Sequence, residues 1–350
     1  MAGTKRKAKG KSKPKQRKAK PRMTKQPRHA LTDADHYFVR VYESLGPAQL
    51  AFELGKTVRA VQNMRVRLEQ KLGRPILARN NKTPLAEMEP PVAEESARID
   101  IPIVNGTVLV GSDGHYWPGA PTTAHRAFVW AAKELKPRII VMNGDALDAP
   151  SISRHPPIGW ESHPTLEEEL AVVQERLGEI ELAKPKGCRL VWPLGNHDAR
   201  FNTRLASLVP QFRNIKGTRL LHHFPLWEPC WSVFLGGARG AVVKHRFKGG
   251  IHAPHNNTLW AGRTIVTGHL HSQKVIPLTD YSGTRWGVDC GTLSHSKQAQ
   301  FGYTEDNPLN WRSGFAVLTW KNGELLPPEL VTVWDERKGQ VWFRGELVRV

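Results

Sequence analysis

The sequence predicts an α/β domain preceded by a small three-helix domain and a disordered basic tail, on three observations. From Asn105 onward, short β-rich runs alternate with helical stretches, the pattern of crossover units and a largely parallel sheet. Between residues 29 and 74, three helical periodicities follow one another with turn residues between them. Ahead of both, the charge is lopsided. The 350 residues carry a formal net charge of +19, and residues 1–28 hold thirteen Lys or Arg and no acid, leaving 38 basic against 32 acidic residues elsewhere.

The tail, residues 1–28, has too few apolar residues to bury a core and is expected to be disordered. Such a run binds phosphate backbones by counterion release; a solubilising run or a nuclear import signal has the same composition. It is not the pattern of a secretory signal, because no apolar stretch follows the charges. No run of eighteen apolar residues exists, so no membrane span is expected. Cys188, Cys230 and Cys290 are odd in number and widely spaced, which fits a reducing cytoplasm and speaks against a disulfide scaffold.

In the helical module (residues 29–74), DADHYFVRVYESLG sets Tyr37, Phe38 and Val41 at helical spacing, and Gly46-Pro47 stops that helix. PAQLAFELG supplies a second short helix. Thr57 caps a third, VRAVQNMRVRLEQKLG, with Val58, Val61, Leu68 and Leu72 on one face. The other faces carry Arg59, Gln62, Asn63, Arg65 and Arg67, side chains able to reach base edges or phosphates. This arrangement resembles a helix-turn-helix DNA-binding domain, which implies DNA as a partner. The plainer alternative is a three-helix cap with a solvated basic face. Residues 75–104, rich in proline and poor in periodicity, read as a linker to a domain spanning 105–350.

Within 105–350, five β-rich runs end in metal-binding residue types. TVLVG leads into Asp113 and His115, RIIVMNG into Asp145 and Asp148, and RLVWPLG into Asn196, His197 and Asp198. GAVVK leads into His245, and TIVTG into His269 and His271. Functional residues of parallel α/β sheets lie beyond the carboxyl ends of the strands, where all five clusters fall. Taken singly, each cluster also reads as a helix cap or a surface imidazole. In this order they resemble the calcineurin-like metallophosphoesterase family, over residues 107–272. The motifs are D-x-H, G-D-x-x-D, G-N-H-D, a lone histidine after a strand, and G-H-x-H.

The resemblance implies a four-layer αββα sandwich with two mixed sheets, in which GFAVLTW, ELVTVWD and QVWFRGELV complete a second sheet packed on the first. Trp311, Trp320, Trp334 and Trp342 read there as core and edge packing. It also implies two divalent metal ions, with manganese first and iron or zinc as alternatives. Such a pair, about 3.5–4 Å apart, provides an activated water and positive charge for phosphoryl oxygens. One ion would take Asp113, His115, Asp145 and His271; the other would share Asp145 and add Asn196, His245 and His269. His197 would be the general acid, with Asp198 orienting its ring and Asp148 behind the ligands. The family usually follows the lone histidine with glycine; here Arg246, Phe247 and Lys248 follow, and His252 and His255 compete with His245 for the role. Arg154, His155 and Arg200 are candidates for the substrate phosphate, with an ordinary surface reading as the alternative.

These motifs imply a reaction type and leave the substrate open. The first reading is a phosphodiesterase or nuclease acting on DNA. The second is a phosphomonoesterase for a protein or small molecule, tethered to DNA by its N-terminal module. The third is a DNA-binding protein with an inactive catalytic domain, against which every ligand position is filled. The overall plan resembles phosphoesterases of bacteriophages and bacteria, with a cytoplasmic location implied.

Overall fold

The computed structural model describes residues 31–78, 95–155, 162–237 and 240–350. The basic tail therefore lies outside the described residues, as do 79–94 of the expected linker. The chain divides into two units, Met1–Val92 and Ala93–Val350.

The first unit contains α1 (Asp33–Glu53) and α2 (Val58–Leu72). Thr32 and Asp35 form a reciprocal cap at the start of α1, satisfying two free backbone amides. Gly46 takes a left-handed φ of 79° and breaks α1 just before Pro47, so the first two expected helices are two arms of one kinked element. Phe38, Val41, Tyr42, Leu50, Val61 and Leu68 pack together with Ile76 and Ala78. Val58, expected on the packed face, is instead 46% exposed in the first turn of α2.

The second unit contains β1 (Ile99–Ile101), β2 (Gly106–Gly111), α3 (Thr123–Glu134), β3 (Ile139–Met142), α4 (Leu166–Ala183), β4 (Arg189–Pro193) and α5 (Asp198–Leu208). Then come β5 (Glu228–Cys230), β6 (Val233–Leu235), β7 (Ala241–Val243), α6 (Ala253–Ala261), β8 (Thr264–Thr267), β9 (Lys274–Asp280) and β10 (Gly283–Asp289). The last strands are β11 (Gly314–Lys321), β12 (Glu324–Leu325), β13 (Glu329–Asp335), β14 (Gln340–Phe343) and β15 (Glu346–Arg349). One sheet runs β15-β14-β13-β11-β2-β3-β4-β5, with β12 paired to β11; the other runs β1-β6-β7-β8-β10-β9. Both mix parallel and antiparallel pairs.

Strand alternation builds the layers. Leu109, Ile140, Leu190 and Phe315 face the helices, packing with Phe128, Val173 and Leu177 of α3 and α4. Their neighbours Val108, Val141, Val191 and Ala316 face the second sheet, meeting Val233, Val243, Val266 and Val288. On the far side of that sheet α6 lies against β8, β9 and β10. The result is helix, sheet, sheet, helix, as the resemblance implies.

Two expectations are corrected. The C-terminal strands do not complete the second sheet: β11 pairs antiparallel with β2, so β11 and β13–β15 extend the first. Both faces of β11 are buried, which its unbroken apolar run allows. The linker is shorter than 75–104, because Ile76 and Ala78 belong to the helical core and Ile99–Ile101 pairs with β6. Of the four tryptophans, Trp320 is core, whereas Trp334 and Trp342 are 71% and 48% exposed.

Candidate metal centre

The strands that feed the site are parallel neighbours: β2, β3 and β4 in one sheet, β7 and β8 in the other. Their carboxyl ends bring together residues from 113 to 271. The chain turns sharply at each exit. Asp113, His115, Asp145, His269 and His271 all have positive φ, between 37° and 69°. Half of the ten non-glycine residues with positive φ among those described are thus site residues. Such backbones persist only where the surroundings impose them, and they concentrate at functional sites. The turn at 113–116 is tied to the next one, with Asp113 N and His115 N donating to Gly144 O and Asp145 O, both at 2.9 Å.

Three clusters form. Asp113, His115 and His271 offer donor atoms close enough to hold one cation; Asp145, His245 and His269 offer a second set; His115, Asp148 and His197 make a third group. Asp113 Oδ1 lies 3.1 Å from His271 Nε2 and 3.8 Å from His115 Nε2. Asp145 Oδ2 lies 3.0 Å from His245 Nε2. The other nitrogen of His245 contacts Asn143 O at 2.7 Å, fixing the ring with Nε2 toward the carboxylate. His245 is thus the histidine the geometry brings in; neither His252 nor His255 joins a cluster among the described residues. Two glycines make room for this crowding: a Cβ on Gly195 would collide with Asp145 Oδ1, and one on Gly268 with Ser112 Oγ.

The buried charges hold one another. Burial alone would push the Asp113 carboxyl up, but the imidazoles of His271 and His245 outweigh it and hold it well below the usual carboxylate range. The same contest, won by His245, His197 and His115, keeps Asp145 low. Burial pulls the His245 imidazole down, yet the charges on Asp145 and Asp113 raise it to about 9. His115 is likewise raised despite burial, through its bonds to Asp113 and Asp148. His269 is lowered, by burial and by the neighbouring His245.

The donor set fits divalent cations. It consists of carboxylate oxygens and imidazole nitrogens. The exit of β4 carries Asn196, whose Oδ1 is a buried amide oxygen with no hydrogen-bond partner among the described residues. An unpaired buried acceptor costs stability unless something else satisfies it.

Asp198 occupies a different place from that expected. The Asp198 carboxylate does not touch the His197 ring. It begins α5 and turns back to accept hydrogen bonds from the backbone amides of Asp145, Ala146, Leu147 and Gly195 and from Trp192 Nε1, at 2.7–3.1 Å. Its role is to brace the strand-exit loop. The carboxylate beside His197 is Asp148, whose Oδ1 lies 2.9 Å from His197 Nδ1 and 2.9 Å from His115 Nδ1. Removing five acceptor contacts leaves buried donors unpaired, so Asp198→Ala should lower folding stability by about 3 kcal/mol or more. Chemical denaturation checks this; a loss of rate with unchanged stability would return Asp198 to the role of a ring orienter.

Arg200 is also committed elsewhere: Nη1 donates to Asp148 O and Ala149 O, at 2.9 and 3.1 Å. Arg154 and His155 are exposed. In the helical unit, Arg59, Asn63 and Arg67 are exposed at intervals of four, on one face of α2. Gln62 and Arg65 depart from that face. Gln62 accepts from Tyr42 Oη at 3.1 Å, and Arg65 pairs with Glu69 at 3.8 Å.

Sequence reasoning missed the aromatic wall. The Trp311 ring centroid is 4.2 Å from that of His271, and Phe301 lies 5.4 Å from His115. It also missed Asp289, a buried carboxyl at the end of β10 pushed up to about 7, chiefly by burial. Neither sits in a motif, and nothing in their local spacing marks them.

No protein-family profile matches the chain, and no curated protein matches it. Solved structures similar to it include Vps29 from Entamoeba histolytica complexed with zinc, at 14% identity and a TM-score of 0.37, covering 69% of this chain and 98% of that one. A dimetal phosphatase from Danio rerio is similar at 10% identity and a TM-score of 0.32, covering 66% of this chain and 96% of that one. At such distances the chemistry of the site rests on its own geometry. No described helix is long and apolar enough to cross a membrane.

Proposed function

We propose that the chain is a binuclear metal-dependent phosphoester hydrolase acting on DNA as a phosphodiesterase. The convergence of two His/Asp clusters on strained strand exits, with the buried Asn196 Oδ1 unpaired at the exit of β4, is the observation that carries this reading. Asp113, His115, Asp145 and His271 would hold one ion, and Asp145, Asn196, His245 and His269 the other; manganese, iron and zinc all suit these donors. Two divalent ions held there supply positive charge to phosphoryl oxygens and acidify water. His197 is the proton donor to the leaving oxygen. Its Nδ1 is against Asp148, which leaves Nε2 to carry the transferred proton. Asp148 fixes that ring and the ring of His115 together.

DNA as substrate is supported by the basic tail and by the exposed Arg59, Asn63 and Arg67. Every proposed metal ligand lies in the unit that begins at Ala93. Removing residues 1–92 should therefore leave hydrolysis of bis-p-nitrophenyl phosphate nearly unchanged. Hydrolysis of DNA should fall sharply and lose much of its salt dependence, which scales with the phosphates neutralised. Arg59→Ala with Arg67→Ala should reproduce part of that loss. If the full chain instead cleaves monoesters and binds DNA without cutting it, a phosphatase tethered to DNA replaces the nuclease.

A further inference from the structure

The segment that follows His245 departs from the glycine expected there, and it builds a surface. Residues 229–279 contain six Lys or Arg and no Asp or Glu. Within this acid-free stretch, Arg246, Phe247 and Lys248 are exposed at the exit of β7, and Trp260 is 68% exposed near the end of α6. Lys248 Nζ stands 4.1 Å from the centre of the Trp260 ring, and Lys244 Nζ stands 5.2 Å from that of Phe247. Ammonium groups so placed favour the ring faces electrostatically.

The loop is held in place. Asn257, buried within α6, accepts from Lys248 N at 3.0 Å and donates to Lys248 O at 3.4 Å. At its other end Lys274 Nζ donates to Ile251 O at 3.3 Å. Between residues 246–249 and 267–270 lies a cavity of about 120 Å³, so the same loop shares a wall with His269. Phe247 and Lys248 thus line a cavity together with His269, and Lys248 carries the surface on to Trp260.

We propose that this surface docks a single strand of nucleic acid, with bases against Phe247 and Trp260 and phosphates on Arg246 and Lys248. Bases have flat apolar faces and phosphates alternate with them, the combination that aromatic platforms in basic grooves bind without sequence preference. Charge complementarity commits the surface to a polyanion, and the two rings select one with stackable groups. The proposal deepens the phosphodiesterase reading and rests on it for the direction of the strand, toward His269.

The test uses the full chain in EDTA, so that binding is read without cleavage. The probe is a fluorescent oligothymidylate of about twelve nucleotides, within the span such surfaces bind. Raised salt suppresses the contribution of the basic tail. Phe247→Ala with Trp260→Ala should weaken binding about 30-fold or more, the effect of losing two stacked bases, with an unchanged circular dichroism spectrum. Lys248→Glu should weaken it as well and flatten the salt dependence. Unchanged affinity in both variants overturns the proposal. So does equal affinity for thymidine dinucleotide, which would make this a nucleotide subsite. Vesicles containing phosphatidylserine that bind wild type but not the variants, while oligothymidylate binding is unaffected, would make it a membrane surface instead. Hydrolysis by the manganese-loaded wild type is measured separately. No turnover of DNA with impaired binding in the variants removes the nuclease and keeps the docking surface; turnover with unimpaired binding does the reverse.

Discussion

Asp145→Asn is expected to strip most bound metal and nearly all activity. Asp145 is buried, with Oδ2 3.0 Å from His245 Nε2 and Oδ1 accepting from His197 N at 2.8 Å. Asparagine keeps the shape, so the fold should survive, but it removes the negative charge that the two proposed ligand sets would share. In the metal-free protein that charge helps hold His245 up to about 9, so the ring is protonated at neutral pH. A cation needs the neutral imidazole and must expel that proton. Metal uptake by the wild type should therefore release protons and strengthen as pH rises toward 9, which calorimetry in buffers of different ionisation enthalpy measures. Asp148→Asn should retain its metal and lose rate, because Asp148 acts on ring orientation. Two ions per chain still bound in the Asp145 variant would sink the ligand scheme.

His197→Ala should keep both ions and the fold and lose about 10²–10⁴-fold in rate. The ring is half-buried, touches Asp148 through Nδ1 and lies edge-on to His115, 4.9 Å between centroids. Among the described residues, none hydrogen-bonds its Nε2. The loss should be smallest for p-nitrophenyl esters, whose leaving groups need little protonation, and largest for DNA, whose alkoxide needs it most. Equal losses on activated and unactivated esters would remove the acid role.

The strand exits were legible because the apolar runs before them are short and end in glycine or a polar residue, so five clusters could be placed at the carboxyl ends of strands. The braces behind them were not. Asp198 follows His197 in the chain and invites the inference of a contact, yet at the start of α5 its carboxylate points back to the amides at 145–147. The real neighbour, Asp148, meets rings 33 and 49 positions away, and only the folded sheet sets such pairings. The C-terminal strands were misplaced for a similar reason. Alternation tells which face a residue takes, and it is silent about which strand lies alongside. In the helical unit, Gln62 and Arg65 looked like DNA contacts by polarity alone, whereas Tyr42 and Glu69 engage them.

The left-handed corners have an implication for engineering. Asp113, His115, Asp145, His269 and His271 stand where glycine would relax the backbone. Each holds about 1 kcal/mol of conformational cost, less where a short polar side chain eases the turn. A campaign that ranks substitutions by folding energy would be drawn to these corners first, and every gain there would erase a proposed metal donor. Heat resistance and the proposed catalysis compete at the same five addresses, so sturdier versions of this protein must be sought in the helical layers and outer strands.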